Sequence, residues 1–244
     1  MYMNIFSEID QLQIKIEKIR PLSEDQNLEL RRYFNIGLAY SSNAIEGNTL
    51  TESETKAVIE DGLTIGGKPL KHHLEATGHH DAFNFMYSLI KKNGIIEEDI
   101  KNLHHLFYRQ IEPEKAGVYR KIKVFISGSS YSLPDPKELK TLMKKFEDKY
   151  KIYDKNIHPV RLAALAHNDF VFIHPFLDGN GRIARLITNL ILIHSGYPVT
   201  IIPPVLRMEY IALLEKAHEN DEDYINFMAE RVKQSQLEYI RMMG

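Results

Sequence analysis

Apolar residues recur along this chain mainly at helical spacing. Residues 4–19 form an amphipathic stretch of mixed charge that ends before Pro21. Ser23 can cap a second helix, in which Leu30, Phe34 and Leu38 fall at i, i+4 and i+8 and make one buried stripe. This helix runs through Ser42 and stops at Gly47, a natural C-terminal glycine. Thr51-Glu52-Ser53-Glu54 has the form of a capping box and opens a helix to about Glu60. The pattern predicts further helices over 74–92, 97–110, 136–150, 159–172, 183–194, 207–219 and 221–242. The stretch 183–194 is so strongly apolar that it reads as the central core helix.

One segment departs from this rhythm. Lys121-Ile122-Lys123-Val124-Phe125-Ile126 is rich in β-branched and aromatic residues, Gly128-Ser129-Ser130 supplies a turn, and Tyr131-Ser132-Leu133 follows. This predicts a β-hairpin, too short to found a sheet, and therefore a small flap on a helical body. Val124, Phe125, Ile126 and Ser127 would offer an edge to an extended target segment. The expected fold class is all-α with that flap. With no clear linker, residues 1–244 read as one domain whose first 50 residues form N-terminal helices.

Composition narrows the function. The chain has 244 residues, 43% of them hydrophobic, and a net charge of −2. That balance argues against a general binder of nucleic acid or anionic membranes, which needs a basic excess. The chain has no cysteine, so disulfides and Cys-ligated zinc are excluded and a reducing, cytoplasmic setting is compatible. The first 20 residues lack the continuous apolar core of a signal peptide. No stretch approaches the roughly 20 apolar residues that a membrane span needs.

The chemistry concentrates in His174-Pro175-Phe176-Leu177-Asp178-Gly179-Asn180-Gly181-Arg182-Ile183-Ala184-Arg185. His174 can accept a proton near neutral pH. Asp178 offers a hard carboxylate, and Mg²⁺ needs only one or two of these when phosphates complete its shell. Gly179-Asn180-Gly181 can turn tightly at the start of a helix, where amide N–H groups converge on an anion. Arg182 and Arg185, three apart, project from neighbouring turns of one helical face and suit a polyphosphate. Gly179 to Ala184 also fits the G-x-G-x-x-A dinucleotide pattern. That pattern requires a strand before it and an acidic strand end after it, and the only strand candidate downstream, 199–202, runs into Pro203-Pro204. No Walker A loop occurs.

These twelve residues closely resemble the signature of the Fic family, H-P-F-x-[D/E]-G-N-G-R-x-x-R, with every fixed position matched. The resemblance extends to Gly117-Val118-Tyr119-Arg120, the 123–133 segment and Pro134-Asp135-Pro136. It implies a helical domain with a hairpin flap that transfers AMP from Mg·ATP to a Ser, Thr or Tyr hydroxyl of a target protein. His174 would then be the base, Asp178 the Mg²⁺ ligand, and Gly179, Asn180 and Gly181 the anion hole. Arg182 would hold the inner phosphates and Arg185 the γ-phosphate. The intact Gly-Asn-Gly-Arg favours AMP transfer over the phosphorylation of the related Doc kinases.

Ser42-Asn43-Ala44-Ile45-Glu46-Gly47 matches the family's inhibitory motif, [S/T]-x-x-x-E-[G/N]. Glu46 paired with Arg185 would remove the cation that holds the γ-phosphate, and the brake would be intramolecular. In some family members the same glutamate supports removal of AMP. Tyr210 resembles the family tyrosine near the adenine, with a core tyrosine as the alternative. His218 stands where relatives often have Asn. His167 reads as core, and His72-His73 and His79-His80 as solvent-facing or supporting groups. The alternatives to an enzyme are a catalytically silent nucleotide-binding regulator and a toxin–antitoxin or DNA-linked regulator. The near-neutral charge and the lack of a C-terminal winged helix-turn-helix count against the last. Self-modification at Ser129, Ser130, Tyr131 or Ser132 is open, as is a homo-oligomer.

Overall fold

A computed structural model describes residues 4–126 and 128–244. Among them run ten α-helices: α1 (Ile5–Ile19), α2 (Glu24–Ile45), α3 (Glu52–Glu60), α4 (Leu70–Leu89), α5 (Glu97–Tyr108), α6 (Leu139–Tyr150), α7 (Pro159–Ile173), α8 (Asn180–His194), α9 (Arg207–Lys216) and α10 (Glu222–Met243). Short 3₁₀ turns precede α6 and α9. No helix among the described residues is long and apolar enough to cross a membrane.

The caps stand where the chain signals them. Ser23 and Gln26 close a reciprocal capping box on α2, and Thr51 and Glu54 do the same for α3. The centre is the helix pair α7–α8. Ile183, Leu186, Ile187, Leu190 and Ile191 of α8 are wholly buried, which is why that helix reads as apolar nearly all round. Each such side chain contributes roughly 1.5–3 kcal/mol. α4, α5, α6 and α10 pack around this pair, and α1 packs along α10.

Two helices begin earlier than the periodicity indicates. α4 opens at Leu70 because His73, which looks polar, is buried: its Nε2 accepts from Ile65 N–H at 2.8 Å and its Nδ1 bonds the Pro69 carbonyl at 3.0 Å. His79 is also fully buried, so the solvent-facing reading fails for both residues. α8 opens at Asn180, three residues before its apolar run.

The expected hairpin is not confirmed. The described residues contain no strand, and 121–126 and 128–135 are irregular. At the two roots of this segment the backbone carbonyls turn to a side chain: Arg120 donates to Ile122 O at 3.2 Å and Pro134 O at 2.7 Å. The 199–202 segment behaves alike. Thr200 exchanges two hydrogen bonds with the Asn189 carboxamide, at 2.7 and 3.0 Å, and forms no strand. In the flap Phe125 is 91% exposed, while Ser127 lies outside the described residues.

Candidate active site

His174 ends α7 in the left-handed region (φ 49°), the one non-glycine residue at positive φ among those described. Its N–H donates to Phe170 O at 3.0 Å. Its Nδ1 lies 3.3 Å from Val171 O. A carbonyl only accepts, so Nδ1 carries the proton and Nε2 keeps its lone pair. Burial pushes the His174 pKa down to about 4, so the ring is neutral at pH 7 and able to act as a base.

The loop after it is closed by Asn180, whose carboxamide accepts from Phe176 N–H and donates to Phe176 O, both at 2.9 Å. The Asn180 side chain therefore shapes the loop, and its amide belongs to the first turn of α8. Gly179 sits at φ 81°, and a Cβ there would meet Phe107 Cε1 at 3.0 Å. Both facts demand glycine. No side chain caps α8, so its first N–H groups face outward with partial positive charge. His104, which carries no sequence signal, supports the loop from below. It stacks on Phe176 with centroids 3.8 Å apart, accepts from Gly117 N–H at 2.8 Å and donates Nε2–H to Asp178 O at 3.1 Å.

Asp178 is half-buried. Its Oδ1 accepts from Arg182 at 2.9 Å and from Gly179 N–H at 2.6 Å, while Oδ2 has only long contacts, 3.4 Å to Lys71 and 3.5 Å to Tyr108. Burial alone would raise its pKa, but Arg182, the Gly179 N–H and Lys71 hold it below the usual carboxylate range. An ionised carboxylate with one loosely held oxygen fits Mg²⁺ whose remaining ligands are phosphates and water. No cluster of three or more His, Cys, Asp or Glu among the described residues could cage a metal by itself. Arg182 is 3% exposed, lies 4.7 Å over the Phe107 ring and also donates to Glu75 at 3.2 Å, a partner without a sequence motif.

Arg185 is fully engaged with α2. Its Nε donates to Ser42 Oγ at 2.8 Å, and its Nη2 donates to Ser42 O at 2.9 Å and Glu46 Oε1 at 2.8 Å. Its Nη1 reaches the Tyr210 hydroxyl at 3.3 Å, which also bonds His167 Nε2 at 2.9 Å. Tyr210 and His167 are buried, so Tyr210 holds Arg185 from behind while its ring contributes to the cavity wall. Burial would raise the Glu46 pKa, but Arg185 and Arg182 hold it below the usual range. The Glu46 carboxylate lies against Gly181, close enough that a Cβ there would collide with it.

Glu46, His174, Gly181, Arg185 and Tyr210 line one cavity of about 410 Å³. The flap loop forms its opposite wall. Glu215 of α9 accepts from Ser129 Oγ (2.7 Å), Ser130 N–H (2.6 Å) and Ser130 Oγ (2.7 Å). His218 is sandwiched between Tyr131 and Phe172, with centroids at 3.6 and 3.7 Å. The motif residues thus converge as their spacing indicates. Glu75, His104 and Glu215 join them without any local pattern, and Arg120 comes from the Gly117–Arg120 segment that the resemblance covers.

Comparison with known proteins agrees with this geometry. The Fic/DOC family matches residues 94–192. A curated relative from Drosophila willistoni, named Protein adenylyltransferase Fic, is 38% identical over 194 residues, covering 78% of this chain and 39% of its own length. The chain thus spans about two-fifths of the curated relatives it matches. The solved structure of Fic-1 from C. elegans superposes with a TM-score of 0.85 at 30% identity, covering 98% of this chain and 71% of that one. A Fic domain containing signaling protein from Bacteroides thetaiotaomicron gives 0.84 at 28% identity, covering 96% and 97%. With its motif complete, its fold superposable over nearly the whole chain and its relatives so named, this chain belongs to the Fic/DOC family.

Proposed function

We propose that this chain is a protein adenylyltransferase restrained by its own Glu46. The observation that carries the reading is the neutral His174, whose unprotonated Nε2 shares one cavity with Gly181 and Arg185 of the uncapped start of α8. A target hydroxyl oxygen attacks the α-phosphorus of ATP, the bond to the bridging oxygen breaks, and pyrophosphate leaves. The hydroxyl proton passes to His174 Nε2. Amides of Asn180 and Gly181 together with Arg182 hold phosphate oxygens, while the Gly179 N–H holds Asp178 in place, and positioning with charge stabilisation accounts for most of the rate. Asp178 would hold Mg²⁺, which when bound neutralises phosphate charge. The names of the curated relatives support the activity.

Glu46 occupies the Arg185 guanidinium that a γ-phosphate would need. ATP bound beside it has its phosphates displaced, and a displacement of about 1 Å can cost on the order of 10²-fold. A second reading, removal of AMP by a water that Glu46 orients, is favoured by the Glu46 side chain keeping 35% of its surface accessible in the His174 cavity. The acceptor is a protein hydroxyl, with Ser129 and Tyr131, which line the cavity, as candidates within the chain itself.

The test is a denaturing gel after incubation with α-³²P-ATP and Mg²⁺. Label on Glu46→Gly that vanishes in Glu46→Gly/His174→Ala is expected. Equal label on wild type and Glu46→Gly would remove the brake. ATP binding without transfer to any protein would instead favour a silent regulator.

A further inference from the structure

Arg120 is nine-tenths buried, at 4% exposure, yet bonds no carboxylate. Its guanidinium serves three separate stretches of backbone: Nε donates to His174 O at 2.8 Å, Nη1 to Ile122 O at 3.2 Å and Nη2 to Pro134 O at 2.7 Å. Its own N–H donates to Pro175 O at 2.9 Å. The nearest acid, Asp135, sits with Lys123 at 3.7 Å. One cation therefore ties both roots of the flap to the carbonyl of the base.

Two features make this more than packing. His174 holds a left-handed backbone that an L-residue adopts reluctantly, and Arg120 grips the carbonyl that follows that turn. The flap has no ladder of its own, so its roots are placed by this planar fork, whose donors have fixed mutual angles. We propose that Arg120 is a positioning residue that sets the target-binding flap in register with His174. The role rests on the adenylyl-transfer reading above for its effect on rate, and on geometry alone for its effect on the flap.

Arg120→Lys keeps the charge but cannot reach three carbonyls at once. Arg120→Gln loses both charge and reach. Both are made in the full chain carrying Glu46→Gly. In each, amides of 121–134 should exchange hydrogen on the order of tenfold faster, while α7 and α8 keep their protection and ATP affinity is unchanged. Transfer to the target protein should fall on the order of 10²-fold, mostly as kcat/KM for the target.

A pH profile separates positioning from general loosening. The charges facing His174 are Arg120, Glu46 and Asp178. With Glu46 replaced, removing the Arg120 cation leaves Asp178 alone, so the acid limb of kcat/KM should move to higher pH in Arg120→Gln and stay in place in Arg120→Lys. Unchanged flap exchange in Arg120→Lys, or a wild-type KM for the target, overturns the proposal. Arg120→Lys decides the matter alone where Arg120→Gln fails to fold. Faster flap exchange with ATP bound but no protein labelled supports the clamp while overturning adenylyl transfer itself.

Discussion

The turn from His174 to Arg185 and the flap from 121 to 135 face each other across one cavity, and they are held in opposite ways. The turn is fixed by its own backbone: α7 ends in it, α8 begins in it, and Asn180 staples it to Phe176. The described residues of the flap form no strand or helix and are held by side chains: Arg120 at the roots, Glu215 at the tip and His218 against Tyr131. Even their glycines differ. Gly179 (φ 81°) has Phe107 against the missing Cβ, whereas Gly128 (φ 83°) has nothing within 4 Å. The half that carries His174 is fixed by regular structure, and the half that carries the flap is held by side chains.

The sharpest break comes on the His174 side. In the Glu46→Gly background, His174→Ala should lower AMP transfer by about 10²–10⁴-fold with ATP affinity retained. Undiminished labelling would show that another group takes the proton. Next in size, Glu46→Gly alone should raise transfer on the order of 10²-fold, read as incorporated label per chain per minute.

Acid should attack the His174 side too. Burial pushes His79 and His167 down to about 3, and His104 and His174 to about 4. These folded values lie below the unfolded value of about 6.5, so the unfolded chain binds more protons in between. The stability these rings contribute is fully present above about pH 6.5 and is lost as pH falls toward their folded values. A Tm that stays level from pH 7.5 down to pH 5 would count against their burial as neutral groups.

Smaller effects test the contrast itself. Gly128→Ala should cost about 1–2 kcal/mol from backbone strain alone. Gly179→Ala should cost clearly more, because Phe107 must also move; equal losses in urea melts would deny the difference. Glu215→Ala should change global stability by less than about 1 kcal/mol yet speed hydrogen exchange at 128–131, since it frees only the flap tip.

The same contrast explains what could be read beforehand. Helix caps at Ser23 and Thr51 and the apolar run of α8 are local facts, and they place the frame to within a few residues. The twelve-residue motif is contiguous, so its members meet without long-range folding. Ser42 and Glu46 reach Arg185 because four-residue spacing puts them on one helix face. What escaped was non-local. The 121–133 segment has strand-like composition, but its carbonyls find Arg120 first, just as Thr200 finds Asn189. Glu75, His104 and Glu215 act through partners 107, 74 and about 86 positions away, and no local pattern announces them. His73 and His79 are polar letters in a buried face, and periodicity counts them on the wrong side.

The left-handed turn at His174 also carries a lesson for anyone redesigning this molecule. Glycine or asparagine suits that backbone better, and a protocol that ranks substitutions by folding alone would replace this histidine early. A library sorted only for thermostability should therefore drift toward inert variants at position 174. Stability gains there would be a warning of lost activity, and screening must carry a functional readout from its first round.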